Sequence, residues 1–97
     1  MKDKSFYGDF GEVHISKSSI VIMDNDNENV LIDNTPKACA LFTGATTIES
    51  FDKGVSAASA ICEDGVYLLR VAGGDVKLIA HVRSEDVDEI VRTIIPF

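Results

Sequence analysis

The chain has 97 residues, 45% of them apolar, with 16 acids against nine bases and a net charge of −7. That length holds one small core, so a single α+β domain over residues 1–97 is expected, and the apolar content excludes a disordered chain. The charge disfavours nucleic acid and anionic membranes as partners. No apolar run approaches the roughly 20 residues of a membrane span, and the start, Met1–Ser5, lacks the apolar stretch of a signal peptide. A cytoplasmic location follows as the expectation. Cys39 and Cys62 show no metal or redox spacing; reduced thiols are expected, although spacing alone leaves a disulfide between them open.

From the start, Phe10–Ser16 reads as a strand with Val13 and Ile15 on one face, followed by a turn at Lys17–Ser19. Ile20–Met23 is a short continuous apolar run, the pattern of a strand covered on both faces. A polar connector, Asp24–Asn29, leads to Val30–Ile32, and the three strands make an antiparallel meander. Asp24, Asp26 and Glu28 alternate as a calcium loop would, but Asn29 and Thr35 stand where an EF-hand needs Gly and Glu. The connector is therefore a polar turn.

Thr35-Pro36 starts a helical turn or two before Gly44. Thr46–Glu49 fits a capping box, and Ile48, Phe51, Val55, Ala58 and Ile61 recur at helical spacing. The periodicity predicts a helix over 47–61. Gly54 costs it about 1 kcal/mol, and the alternation of Val55, Ala57, Ser59 and Ile61 makes a strand over 55–62 the competitor.

Val66–Ala72 and Val76–Arg83 flank Gly73-Gly74-Asp75, a strong hairpin signal. A two-residue Gly73-Gly74 loop pairs Val71 with Val76, Leu69 with Leu78 and Tyr67 with Ala80. Tyr67, Leu69, Val71, Val76, Leu78, Ala80 and Val82 then form a core face, because a slip of register is costly when one face is buried. Val66, Leu68, Arg70, Lys77, Ile79, His81 and Arg83 fall on the opposite face and are the candidate site. This is the one positively biased segment: residues 66–83 carry three bases and one acid, against five and eleven in 1–65 and one and four in 84–97. Ser84 caps a final helix whose Val87, Ile90, Val91, Ile94 and Ile95 form one apolar stripe, ended by Pro96.

The fold expected is thus α+β: a mostly antiparallel five-stranded sheet in the order β-β-β-α-β-β-α, with the C-terminal amphipathic helix packed on one face. This element order is similar to that of roadblock and longin sandwiches, and the hairpin with its terminal helix resembles the end of a roadblock domain. That family's leading helix has no counterpart before Phe10. The likeness implies an adaptor-like, interacting protein and assigns no residues.

Catalytic constellations are absent from the pattern. His14 and His81 both lie in strands, and Gly73-Gly74 joins two strands, unlike a phosphate-binding loop. No cofactor or metal is expected. The sequence therefore points to a non-enzymatic protein that binds another protein, most simply a second copy of itself. The alternative is a module that binds a small anionic ligand, such as a nucleotide, through Arg70, Lys77, His81 and Arg83.

Overall fold

A computed structural model describes residues 3–26 and 28–94. Eight strands and a short helical segment precede the final helix: β1 (Lys4–Tyr7), β2 (Glu12–Ile15), β3 (Ser19–Met23), β4 (Asn29–Asp33), a 3-10 turn (Pro36–Ala38) running into α1 (Cys39–Thr43), β5 (Thr47–Glu49), β6 (Val55–Cys62), β7 (Gly65–Ala72), β8 (Asp75–Arg83) and α2 (Ser84–Ile94). The strands form two antiparallel four-stranded sheets, ordered β1-β2-β3-β4 and β5-β6-β7-β8. The class is α+β, but the single five-stranded sheet is replaced by two.

The first sheet buries one face by simple alternation. Val13, Ile22 and Val30 make one rung across β2, β3 and β4, and Ile15, Ile20 and Ile32 make the next; all six are buried. Val21 and Met23 are half-buried, so β3 is fully covered on one face only. The strand β1 went unforeseen because only Phe6 of its four residues is buried, which leaves no alternation to read.

The helix expected over 47–61 does not form. Ser50 and Asp52 close a turn through Ser50 Oγ, Gly54 adopts a φ of 84°, and the chain returns as β6. Thr46 forms no capping box. Its backbone pairs with Ser59 instead, and Ala57 and Ser59 turn inward. Long-range pairing outweighed a helical periodicity already weakened by glycine.

The helix α2 matches its stripe: Ile90 and Ile94 are fully buried, with Val87 and Val91 packed against the core. Ile95 and Pro96 lie outside the described residues. Glu85 and Asp86 occupy the first turn and Arg92 the last, favourable for the helix dipole. Thr35 precedes the 3-10 turn, although its side chain makes no cap hydrogen bond.

The hairpin has the two-residue loop, with Ala72 opposite Asp75, Val71 opposite Val76 and Leu69 opposite Leu78. Beyond that point a β-bulge intervenes. Leu68 pairs with Ala80 and Tyr67 with His81, so Ile79 has no partner of its own. A bulge sets two residues against one, and here both Ile79 and Ala80 are buried. The inner face therefore carries Val66, Leu68, Ile79, Ala80 and Val82. Tyr67, Leu69, Val71, Val76 and Leu78 face outward, which reverses the faces expected for most of the hairpin.

The connection between β1 and β2 closes over the edge of β8, where the His81 N–H donates to the Phe10 carbonyl at 3.0 Å. This approach requires glycine. A Cβ at Gly8 would stand 1.6 Å from the His81 carbonyl oxygen, and one at Gly11 (φ 68°) 2.3 Å from that of Ile79. Gly11→Ala is expected to cost about 2–3 kcal/mol, from backbone strain and overpacking. Gly74→Ala, which meets nothing within 4 Å, should stay within about 0.5 kcal/mol. Urea unfolding of the two variants checks this, and equal midpoints would show that the connection does not need its close seat on β8.

Candidate functional site

The expected hairpin site is divided by the fold. Val66, Leu68 and Ile79 are 2%, 0% and 0% exposed and belong to the core. They cannot form a surface among the cations. Arg70 and Lys77 lie opposite one another as expected. Two facing cations repel, and the β3–β4 connection supplies the compensation. Lys77 Nζ lies 3.0 Å from Asp24, 3.5 Å from Glu28 and 3.9 Å from Asp26. Asp24 Oδ1 also accepts the N–H groups of Asp26 and Glu28, which shapes the turn. The alternating acids thus hold a lysine.

The Lys77 hydrogen bond holds the Asp24 carboxyl below its usual range, and the same bond raises the Lys77 ammonium. A carboxyl lowered in the folded state stabilises above its unfolded value and loses that contribution as pH falls through the folded one. A raised ammonium stabilises below its unfolded value and loses the contribution as pH rises through the folded one. The pair therefore contributes across the neutral range.

His81 and Arg83 lie at the far end of β8. Arg83 Nε is 3.7 Å from Asp9 Oδ1. The His81 side chain is 2% exposed and forms a three-ring cluster with Tyr67 and Phe10, whose centroids are 4.7 and 6.2 Å from it and 6.3 Å from each other. Its Nδ1 lies 3.5 Å from Asp9 Oδ2 and its Nε2 3.8 Å from Asp64 Oδ2, and neither nitrogen has a hydrogen-bond partner. Asp64 Oδ2 accepts the Tyr67 hydroxyl at 2.8 Å, which raises the phenol. One donor atom each from Asp9, Asp64 and His81 lie within 4.8 Å of one another, the residues that could hold a metal. Neither aspartate was singled out from sequence, because both sit in connections far from residue 81 in the chain.

Three of the four expected cationic or titratable residues therefore face acids of the same chain. The fourth, Arg70, has no acid of the described residues within 4.0 Å. A depression of about 420 Å³ lies elsewhere, lined by Asp33, Thr35, Lys37, Thr47 and Ile48 among others, and includes none of the expected site residues. Cys39 and Cys62 are both free, the first buried and the second exposed. Burial pushes the Cys39 thiol up. Among the described residues no helix is long and apolar enough to cross a membrane.

A continuous apolar feature lies on the outer face of the second sheet. Its rungs read Ser56–Val71–Val76, Ala58–Leu69–Leu78 and Ala60–Tyr67–His81 across β6, β7 and β8. Val76 is 63% and Leu78 45% exposed, and the half-buried Leu69 and Val71 lie between them and the small residues of β6. Within β6–β8 no acid or base occupies the first two rungs, and Glu49 of β5 continues the first beyond Ser56. A water-facing antiparallel sheet ordinarily alternates to polar on this side.

Compared with protein-family models, curated proteins and solved structures, the chain gives no match. The likeness in element order to roadblock and longin domains is thus accompanied by no family match, and the second sheet departs from it.

Asp24→Asn, which keeps an oxygen for the turn and removes the charge facing Lys77, is expected to lower stability at pH 7. The difference from the parent should begin to shrink as pH drops below about 4, where the unfolded carboxylate protonates, and go on shrinking as pH falls through the lowered folded value. Urea unfolding at a series of falling pH values provides the check, and a difference that does not shrink along the series would assign the effect to turn geometry.

Proposed function

We propose that this is a non-enzymatic, cytoplasmic interaction protein that works as a homodimer, its two copies packed through the outer face of the second sheet. The observation that carries this reading is the uncharged run of Ala58, Leu69, Val71, Val76 and Leu78 on a face where Val76 and Leu78 stay exposed. Apolar side chains gathered on one open face mark interaction surfaces. The two free thiols, one exposed, fit a reducing compartment.

A second copy fits the relief of this face. Its β6 edge is small, with Ser56, Ala58 and Ala60, and its β8 edge is large, with Val76 and Leu78. A two-fold axis along β7 lays β8 of one copy over β6 of the other while preserving the rungs, so Leu78 meets Ala58 and Val76 meets Ser56. Such an isologous contact needs no charge complementarity, which suits a neutral patch on a chain of net charge −7. The anionic-ligand reading has weaker support, because Lys77, His81 and Arg83 already face acids.

Three strands and three rungs cover about 14 by 20 Å. That is well below the ~800 Å² per partner of a standard interface, so a dissociation constant in the micromolar range is expected. Sedimentation or light scattering at rising concentration should move from 10.5 kDa towards twice that mass. Leu69→Glu with Leu78→Glu should hold the chain at 10.5 kDa with an unchanged circular dichroism spectrum. A parent that stays monomeric at millimolar concentration, or a double variant that still dimerises, would remove this interface.

A further inference from the structure

We propose that Asp9, Asp64 and His81 form a binding site for a first-row divalent cation, Zn²⁺ being the best fit. Two independent observations meet here. One donor atom from each residue lies within 4.8 Å of the others. The His81 side chain is also 2% exposed, with both ring nitrogens lacking a hydrogen-bond partner. A buried polar atom left unpaired costs about 1–3 kcal/mol, and a bound cation removes that cost at one nitrogen.

The remaining geometry agrees. The ring is held by tilted contacts with Tyr67 and Phe10 and by the backbone bond from His81 to the Phe10 carbonyl. Room beside the nitrogens is kept by glycine: a Cβ at Gly65 would come within 3.0 Å of Nε2, and one at Gly8 within 3.4 Å of Nδ1. Asp9 Oδ2 lies 3.5 Å from Nδ1 and Asp64 Oδ2 3.8 Å from Nε2, so one carboxylate already stands near the ~3.3 Å that separates neighbouring ligands of a tetrahedral zinc, and the other, within the 4.8 Å cluster, has to swing towards the shared nitrogen. Both aspartates are more than half exposed, so their side chains can close the difference.

An ion takes one ring nitrogen and draws both carboxylates to it, and the other ring nitrogen keeps the proton. Tyr67 positions Asp64 through the 2.8 Å hydrogen bond. Imidazole with two carboxylates selects borderline metals over Ca²⁺ and Mg²⁺, which prefer oxygen alone. The three donors come from the β1–β2 connection, the β6–β7 turn and β8. The ion therefore ties the first sheet to the edge of the second. This site does not depend on the dimer reading.

Zn²⁺ titration of chelator-stripped protein tests the site, in a Cys62→Ser, His14→Gln background that removes the exposed thiol and the other imidazole. Calorimetry should show one ion per chain. At a hundredfold excess over the dissociation constant, the melting temperature should rise by roughly 10 °C. Asp9→Asn and Asp64→Asn each lie on the surface and should keep the fold while weakening zinc by at least about tenfold. Co²⁺ should give ligand-field bands that the Asp9→Asn, Asp64→Asn double variant loses. No saturable binding, or binding undiminished in the double variant, overturns the proposal.

Discussion

Which residues of β8 face the interior beyond Leu78 is decided by one extra residue, Ile79. In an unbroken ladder starting from the Gly73-Gly74 loop, Leu68 would face Ile79 and Val66 would face His81. That arrangement would bring the imidazole to the inner face and turn Ala80 and Val82 to water. The bulge between Leu69 and Leu68 advances β8 by one residue. Ile79 and Ala80 are both buried as a result, Val82 follows them inward, and His81 moves to the outer face beside Tyr67. Bulges commonly re-aim a side chain in this way. The close seat of Gly8 and Gly11 against Ile79, Ala80 and His81 depends on the same local geometry. The shielding of His81 by Phe10 depends on it as well.

Much of the local structure was legible. The β2–β4 meander, the glycine loop and the stripe of α2 all follow from short-range patterns that burial later satisfied. The inner face of the hairpin was not legible, for a definite reason. Its strand β7 is apolar at Val66, Tyr67, Leu68, Leu69 and Val71, so alternation does not say which side is inside. The cations then pointed the wrong way. Arg70 and Lys77 share the inner face, where Lys77 meets Asp24, Asp26 and Glu28. A cation in a strand is ordinarily read as facing water, and only tertiary contact shows that acids from another sheet receive it.

The middle of the chain failed differently. Residues 47–61 fit a helical period and a strand period at once, and local propensity could not choose between them. The choice belongs to partners distant in sequence. The strand β6 pairs along its whole length with β7, and the Ser59 N–H donates to the Thr46 carbonyl while its hydroxyl accepts the Thr46 N–H. Asp9 and Asp64 escaped notice on the same ground. Each is an ordinary exposed turn acid until folding places it beside His81.

Two departures from the usual rules for a small domain remain after folding, and they share one surface. Leu69, Val71, Val76 and Leu78 stay on a face open to water, while His81 is shut away from water without a hydrogen bond. Tyr67 joins the two, since it completes the outer face with its ring and reaches Asp64 with its hydroxyl. Chains tend to break local rules where function requires it. A domain of this size has little core to spare for such costs. Leaving the apolar residues exposed forgoes burial energy, and leaving the imidazole unpaired adds a desolvation penalty. Both costs fall if the surface is completed from outside, by a second sheet over the rungs and a cation between the carboxylates. The outer side of β6–β8, rather than its basic residues, is where this protein departs from a sequence that needs only to fold.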